Sequence, residues 1–201
     1  MLARSRLIRG AARLAGRLGL KTPTRILQWP LDVRVRDLSR GIPHRANSVD
    51  AIYTSHLLEH LEPDAARSLL AECHRVLRPG GVLRVVVPDL EVVVGAYAGG
   101  DRAILPSTAP DIADAFLEAL AFRPAPRGGQ LGRTVRRILR ADDGGHKWMY
   151  DAGSLIHRLR EAGFVEAERV AFREGRNMDV ARLDTRSAFH LHAEAYKHPG
   201  R

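Results

Sequence analysis

Residues 48–87, Ser48-Val49-Asp50-Ala51-Ile52-Tyr53-Thr54-Ser55 running through to Arg78-Pro79-Gly80-Gly81-Val82-Leu83-Arg84-Val85-Val86-Val87, decide the fold class. Ser48 to Ser55 carries Val49, Ala51, Ile52 and Tyr53 and reads as a strand, central in its sheet. A helix follows. Pro63 suits its first turn, and Glu62 and Asp64 suit the positive end of its dipole. Leu61, Ala65, Leu69, Cys73 and Val76 are expected to share its apolar face. Arg78 to Gly81 is a break. Val82 to Val87 then has the length and the apolar texture of a strand covered on both faces. Strand, helix, strand at this spacing is a βαβ unit, which requires a parallel pair and a right-handed crossover.

Downstream, helices are expected over Glu91 to Tyr97, Asp111 to Phe122 and, as a basic piece, Leu131 to Leu139. The Gly-, Pro- and Arg-rich stretch from Gly99 to Gly145 reads as an insertion or lid at about 99–145. Asp151 is placed to cap a helix carrying Leu155, Ile156 and Leu159 that stops at Gly163. Val165 to Phe172 and Phe189 to Tyr196 are expected to close the sheet as an antiparallel pair.

Upstream the chain changes character. No acidic residue precedes Asp32, whereas Arg4, Arg6, Arg9, Arg13, Arg17, Lys21 and Arg25 all do. On a helical wheel, Leu7, Ala11, Leu14 and Leu18 share one side, with Ile8 and Ala15 beside them; Arg6, Arg9, Arg13 and Arg17 share the other. Residues 1–24 are therefore expected to be a basic amphipathic helix, weakened by Gly10, Gly16 and Gly19. It either packs on the domain or lies on an anionic membrane surface through residues 2–20. Residues 25–201 make the α/β domain, with a short strand expected over Asp32 to Leu38.

Bulk properties narrow the function. The formal net charge is +9, and aromatic residues are 5% of the chain. The charge implies weak, salt-sensitive attraction to polyanions, but without a stacking platform a nucleic-acid-binding role is the weakest option. One cysteine, Cys73, excludes an intramolecular disulfide and favours a reducing, cytoplasmic setting, with peripheral membrane contact open. His56-Leu57-Leu58-Glu59-His60 matches the H-x-x-E-H zinc-peptidase pattern. Here it spans the end of a strand and the start of the next helix, so no metal is expected from it.

The ordered set Asp37-Leu38-Ser39-Arg40-Gly41-Ile42-Pro43, Ser48 to Tyr53, His56 to Leu61, Glu72 to Gly81, Gly145 to Asp151 and Glu161 to Phe164 resembles the type 11 family of class I, S-adenosylmethionine-dependent methyltransferases. The resemblance runs from about Asp32 to Lys197. It implies an α/β, Rossmann-like sheet, mostly parallel with a C-terminal antiparallel strand pair, and a cofactor lying across the carboxyl ends of the strands. It also implies that Asp37 accepts from the adenine amino group, that Leu38 contacts the ring, and that Thr54, Ser55 and His56 line the floor beside the sulfonium. Where the acceptor must lose a proton, His56, Asp89 and His146 are the candidate bases, with helix capping the competing role for Asp89. Trp148 and Tyr150 are candidates for the acceptor wall. The acceptor is a small molecule, a glycan or a lipid; a homo-oligomer is compatible.

One family feature is missing. No strand leading into a glycine-rich turn precedes Asp32, so the fold is expected to be N-terminally truncated or altered. A start upstream of Met1, a shortened cofactor site, and a non-catalytic methyltransferase-like binding module all fit that departure. His44-Arg45-Ala46 is a smaller departure, standing where relatives carry an aromatic and an acidic residue.

Overall fold

The computed structural model describes residues 36, 38–105, 109–120, 145–176, 179–185 and 190–200. The expected amphipathic helix, the body of the Asp32 to Leu38 strand, Asp37 and the Leu131 to Leu139 helix lie outside these residues. Leu38 itself opens a 3-10 turn, Leu38–Arg40, so the expected strand does not extend to it. The chain divides into two compact units, Met1–Leu38 and Ser39–Arg201, and the α/β elements belong to the second.

The elements of this second unit, in chain order, are β1 (Val49–Ser55), a 3-10 turn (Leu58–His60), α1 (Pro63–Val76), β2 (Leu77–Pro88), α2 (Leu90–Gly99), α3 (Ile112–Leu120), α4 (Ala152–Glu161), β3 (Val165–Val170), α5 (Val180–Leu183) and β4 (His190–Tyr196). The sheet order is β1-β2-β4-β3. β1 and β2 pair in parallel, as the βαβ reading requires. β4 runs antiparallel to both β2 and β3, giving the expected C-terminal antiparallel pair. This is an α/β, Rossmann-like sheet.

The central position expected for β1 is not observed: among the described residues, β2 and β4 are the interior strands. With a partner strand on one side only among the described residues, Ala51, Ile52, Tyr53 and Thr54 are half-buried. Val82 to Val87 are all at most 2% exposed, and full burial of each aliphatic side chain is worth about 1.5–3 kcal/mol. β2 starts at Leu77, earlier than expected. Its partner register slips between Val49↔Leu77 and Ala51↔Val82, so residues 78–81 bulge out of the ladder. At Gly81 a Cβ would lie 2.9 Å from the Arg78 carbonyl oxygen and 3.0 Å from that of Asp50, so the close approach admits only glycine.

α1 starts at Pro63 as expected, and its buried face is Ala66, Leu69, Leu70, Cys73 and Val76. Leu69, Cys73 and Val76 are buried as expected, whereas Ala65 is exposed and Leu61 half-buried, so only at the start of the helix does the stripe shift, to Ala66. Burial pushes the Cys73 thiol up to about 12, leaving it a small apolar filler. Asp151 caps α4 in a reciprocal box: its Oδ1 accepts from Ser154 N–H at 2.7 Å, and Ser154 Oγ accepts from Asp151 N–H at 3.1 Å. Val93 and Ala96 of α2 pack with Leu105, Ala109 and Ala115 in a separate small apolar cluster, which holds the described first part of the insertion.

Arg84 is the exception in the apolar run. Its side chain is fully buried. Nη1 donates to Glu194 Oε1 at 2.9 Å, and the guanidinium engages both oxygens of Asp184. Nη1 also donates to the Glu174 carbonyl at 2.8 Å and Nη2 to that of Ala171 at 3.3 Å. Tyr196 Oη donates to Glu194 Oε2 at 2.8 Å. One cation thereby ties β2 to β4 and to the segment preceding it. Arg84→Met removes the cation and leaves two buried carboxylates behind. It should destabilise the fold by about 3–5 kcal/mol in urea unfolding; a loss below about 1 kcal/mol would show that the network carries no such role.

Candidate active site

Because β1 and β2 are parallel, both finish on the same edge of the sheet. The ladder continues past β1, with His56 N–H donating to the Val86 carbonyl at 3.0 Å. β4, being antiparallel, begins on that edge, with His190 opposite Pro88. The carboxyl-end edge therefore collects residues from three strands, the natural ligand crevice of a parallel α/β sheet.

Thr54 and Ser55 end β1, Thr54 half-buried and Ser55 exposed. His56 follows with φ +54°, a left-handed conformation that costs a residue with a Cβ about 1–2 kcal/mol. That turn brings His56 Nδ1 to 2.9 Å from Glu59 Oε1. The His56 ring also meets His190 edge-on, centroids 4.7 Å apart. Four of the nine histidines of the chain gather here: His56, His60, His146 and His190.

Glu59 is the centre of the group. It is fully buried, and neither carboxylate oxygen has a hydrogen bond among the described residues. Its backbone carbonyl accepts from Lys147 N–H at 2.7 Å and Trp148 N–H at 3.1 Å. The chain returning from the insertion is thus fastened to the 3-10 turn. His60 Nδ1 lies 3.2 Å from the Gly145 carbonyl and His146 Nδ1 lies 2.8 Å from that of Leu120. The two rings meet edge-on at 5.1 Å. Burial, ahead of the charges around it, holds the His146 imidazole below the usual histidine range.

Asp89 is fully buried and caps α2. Oδ1 accepts from Glu91 N–H at 3.0 Å and Oδ2 from Arg169 Nη2 at 3.0 Å, so both oxygens are engaged. Tyr150 is buried and pairs with Asp89 in an isolated parallel bridge; burial raises its phenol. Trp148 is 42% exposed. The structure thus brings His56, Glu59, His60, His146 and His190 together, and uses Asp89 and Tyr150 in structural contacts. His190 was not singled out by the sequence, because only the antiparallel register places it opposite Pro88.

A family model described as Methyltransferase domain matches residues 10–85. The matched segment, well under half of the chain, is similar to that family. Thr54, Ser55 and His56 lie inside the matched segment. Solved structures similar to the chain include three methyltransferases. One is an S-adenosylmethionine-dependent methyltransferase from Archaeoglobus fulgidus, 13% identical, covering 94% of this chain and 82% of that one with a TM-score of 0.48. Another, from Thermotoga maritima, is described as a possible histamine N-methyltransferase; it is 16% identical, covers 92% and 77%, and has a TM-score of 0.41. The third is the methyltransferase SibL in its apo form, 15% identical, with a TM-score of 0.43 over 82% of this chain. The chain spans 35% of the SibL chain, well under the whole of it. Among curated proteins there is no significant match.

The left-handed turn at His56 has a measurable consequence. His56→Ala keeps a Cβ at positive φ whereas His56→Gly does not, so the glycine variant should be more stable by about 1 kcal/mol in thermal or urea unfolding. An alanine variant as stable as the glycine variant would show that this turn is not held left-handed.

Proposed function

We propose that this chain binds S-adenosylmethionine across the carboxyl ends of β1 and β2 and transfers its methyl group to a small-molecule, glycan or lipid acceptor. The observation that supports this reading is the placing of Thr54, Ser55 and His56, which close β1 at the ligand-binding edge of the sheet and lie within the matched methyltransferase segment. The donor set suits the cofactor. Two hydroxyls and an imidazole offer hydrogen bonds to its polar groups, and residues 54–59 include no lysine or arginine to repel a sulfonium. When bound, S-adenosylmethionine supplies an activated methyl group on that sulfonium.

The residues of the chain then have limited work to do. Methyl transfer is an in-line displacement, so alignment and exclusion of water provide much of the rate. Thr54 and Ser55 form the floor, and the Lys147 and Trp148 bonds to Glu59 hold one wall in place. Where the acceptor releases a proton, His56 is the candidate base: its buried Nε2 has no hydrogen-bond partner among the described residues, while both oxygens of Asp89 are engaged. Trp148, 42% exposed, is the side chain offered to the acceptor. The setting proposed is cytoplasmic; among the described residues no helix is long and apolar enough to cross a membrane.

Isothermal titration of the full chain with S-adenosylhomocysteine tests the reading. Binding is expected, and Asp37→Ala should weaken it about tenfold or more through loss of a charge-assisted hydrogen bond to the adenine amino group. No heat at millimolar ligand would overturn the proposal for this polypeptide.

A further inference from the structure

Methyl transfer leaves one feature of the edge unused: the buried Glu59 carboxylate, which has no hydrogen bond among the described residues and stands between the His56 imidazole and two imidazoles oriented by backbone carbonyls. We propose that Glu59, His60 and His146 form a binding site for a first-row divalent transition ion, with zinc the ion that best fits the ligand set. One ligand atom from each residue falls in a group whose members all lie within 4.8 Å of one another.

Three independent observations lead there. First, Glu59 is fully buried, and among the described residues neither oxygen is hydrogen-bonded; its near neighbour is His56 Nδ1, 2.9 Å from Oε1. A buried carboxylate in that condition is costly unless a cation compensates it. Second, the Nδ1 atoms of His60 and His146 each face a backbone carbonyl, of Gly145 and of Leu120. A carbonyl can only accept, so each imidazole carries its proton on Nδ1 and, when neutral, presents the Nε2 lone pair. Metal-ligating histidines are oriented by this kind of second hydrogen bond. Third, His60 Nε2 lies 4.0 Å from Glu59 Oε1, and the His60 side chain is 30% exposed, so the group opens to solvent on one side.

Two imidazole nitrogens and a carboxylate oxygen are ordinary zinc ligands. With bonds of about 2.0–2.1 Å, tetrahedral ligands stand about 3.4 Å apart, so closing on an ion asks for shifts of well under 1 Å to about 1.5 Å. Three protein ligands leave the fourth position for water or another ligand on the open side. The H-x-x-E-H pattern contributes only its last two residues. His56 stands with its Nδ1 2.9 Å from the same carboxylate, and the third ligand arrives 86 positions after His60. The ion would clamp the returning chain at His146 to the turn at Glu59 and His60, reinforcing the bonds that Lys147 and Trp148 already make there.

The site does not depend on methyl transfer and is tested without it. A tag-free full chain, stripped with chelator, is titrated with Co²⁺ and followed by visible absorption, then challenged with Zn²⁺. One equivalent of Co²⁺ should give an intense tetrahedral or five-coordinate ligand-field band that one equivalent of Zn²⁺ abolishes. His60→Ala and His146→Ala should each weaken binding by more than about a hundredfold, since loss of even an outer-shell partner costs roughly 10–100-fold. His157→Ala, at an exposed histidine 3.4 Å from Glu161, should change nothing. Absence of the band, or its survival in both ligand variants, would overturn the site. If the variants fail to fold by near-ultraviolet circular dichroism, carbethoxylation of the unmodified sequence decides: Zn²⁺ should protect His60 and His146 but not His157, and equal labelling with and without zinc would overturn the proposal.

Discussion

The parallel pairing of β1 with β2 is the constraint on which the rest of the molecule depends. From Ala51↔Val82 to Ser55↔Val86 the two strands march in one direction, and the bond from His56 N–H to Val86 O carries the ladder one step beyond β1. Parallel strands must end together. The chain leaving β1 and the chain leaving β2 therefore emerge side by side, one into the Leu58–His60 turn and the other into the Asp89 cap of α2. β4, inserted antiparallel on the far side of β2, delivers His190 to the same edge. An antiparallel β1–β2 pair would have sent these groups to opposite ends of the sheet, and no site would assemble.

A second layer of organisation comes from buried polar groups, which occupy two distinct places. Arg84 lies mid-strand, several residues from the ligand edge, with its charge met by Asp184 and Glu194. Its hydrogen bonds are numerous and its role is to tie strands together. Glu59 differs in kind. Its backbone carbonyl is well used, but its carboxylate is surrounded by imidazoles and receives no hydrogen bond among the described residues. Full burial with satisfaction marks a fastening; full burial without it marks a place that expects something further. The contrast between two equally buried charged residues is what separates scaffold from site in this chain.

Much of the second unit is written in local signals. Pro63 and the Arg78 to Gly81 break delimit α1, the Asp151 and Ser154 box starts α4, and the continuous apolar run of Val82 to Val87 announces a doubly covered strand. Each depends on residues within one or two turns, so each is readable without tertiary knowledge. The apolar face of α1 keeps the expected Leu69, Cys73 and Val76 but takes Ala66 in place of Ala65, because two adjacent small alanines leave that choice to what the helix packs against. Arg84 was invisible: an arginine in an apolar run carries no mark of the two carboxylates that make its burial tolerable, 100 and 110 positions later. The gathering of His60 with His146, and of His56 with His190, was equally illegible. In the structure His56 Nδ1 and His60 Nε2 stand 2.9 Å and 4.0 Å from the same oxygen, Glu59 Oε1. The resemblance to methyltransferases pointed to this edge; only the register showed what stands on it.

Placing the cofactor at the carboxyl ends of β1 and β2 is a statement about location, and location can be read directly. Hydrogen–deuterium exchange of the full chain, with and without saturating S-adenosylhomocysteine, does so, because it reports where the ligand sits rather than affinity alone. Slowed exchange is expected at the amides of residues 54–59, with no comparable change in α4. Protection confined to other segments, with residues 54–59 exchanging as in the free protein, would contradict the placement.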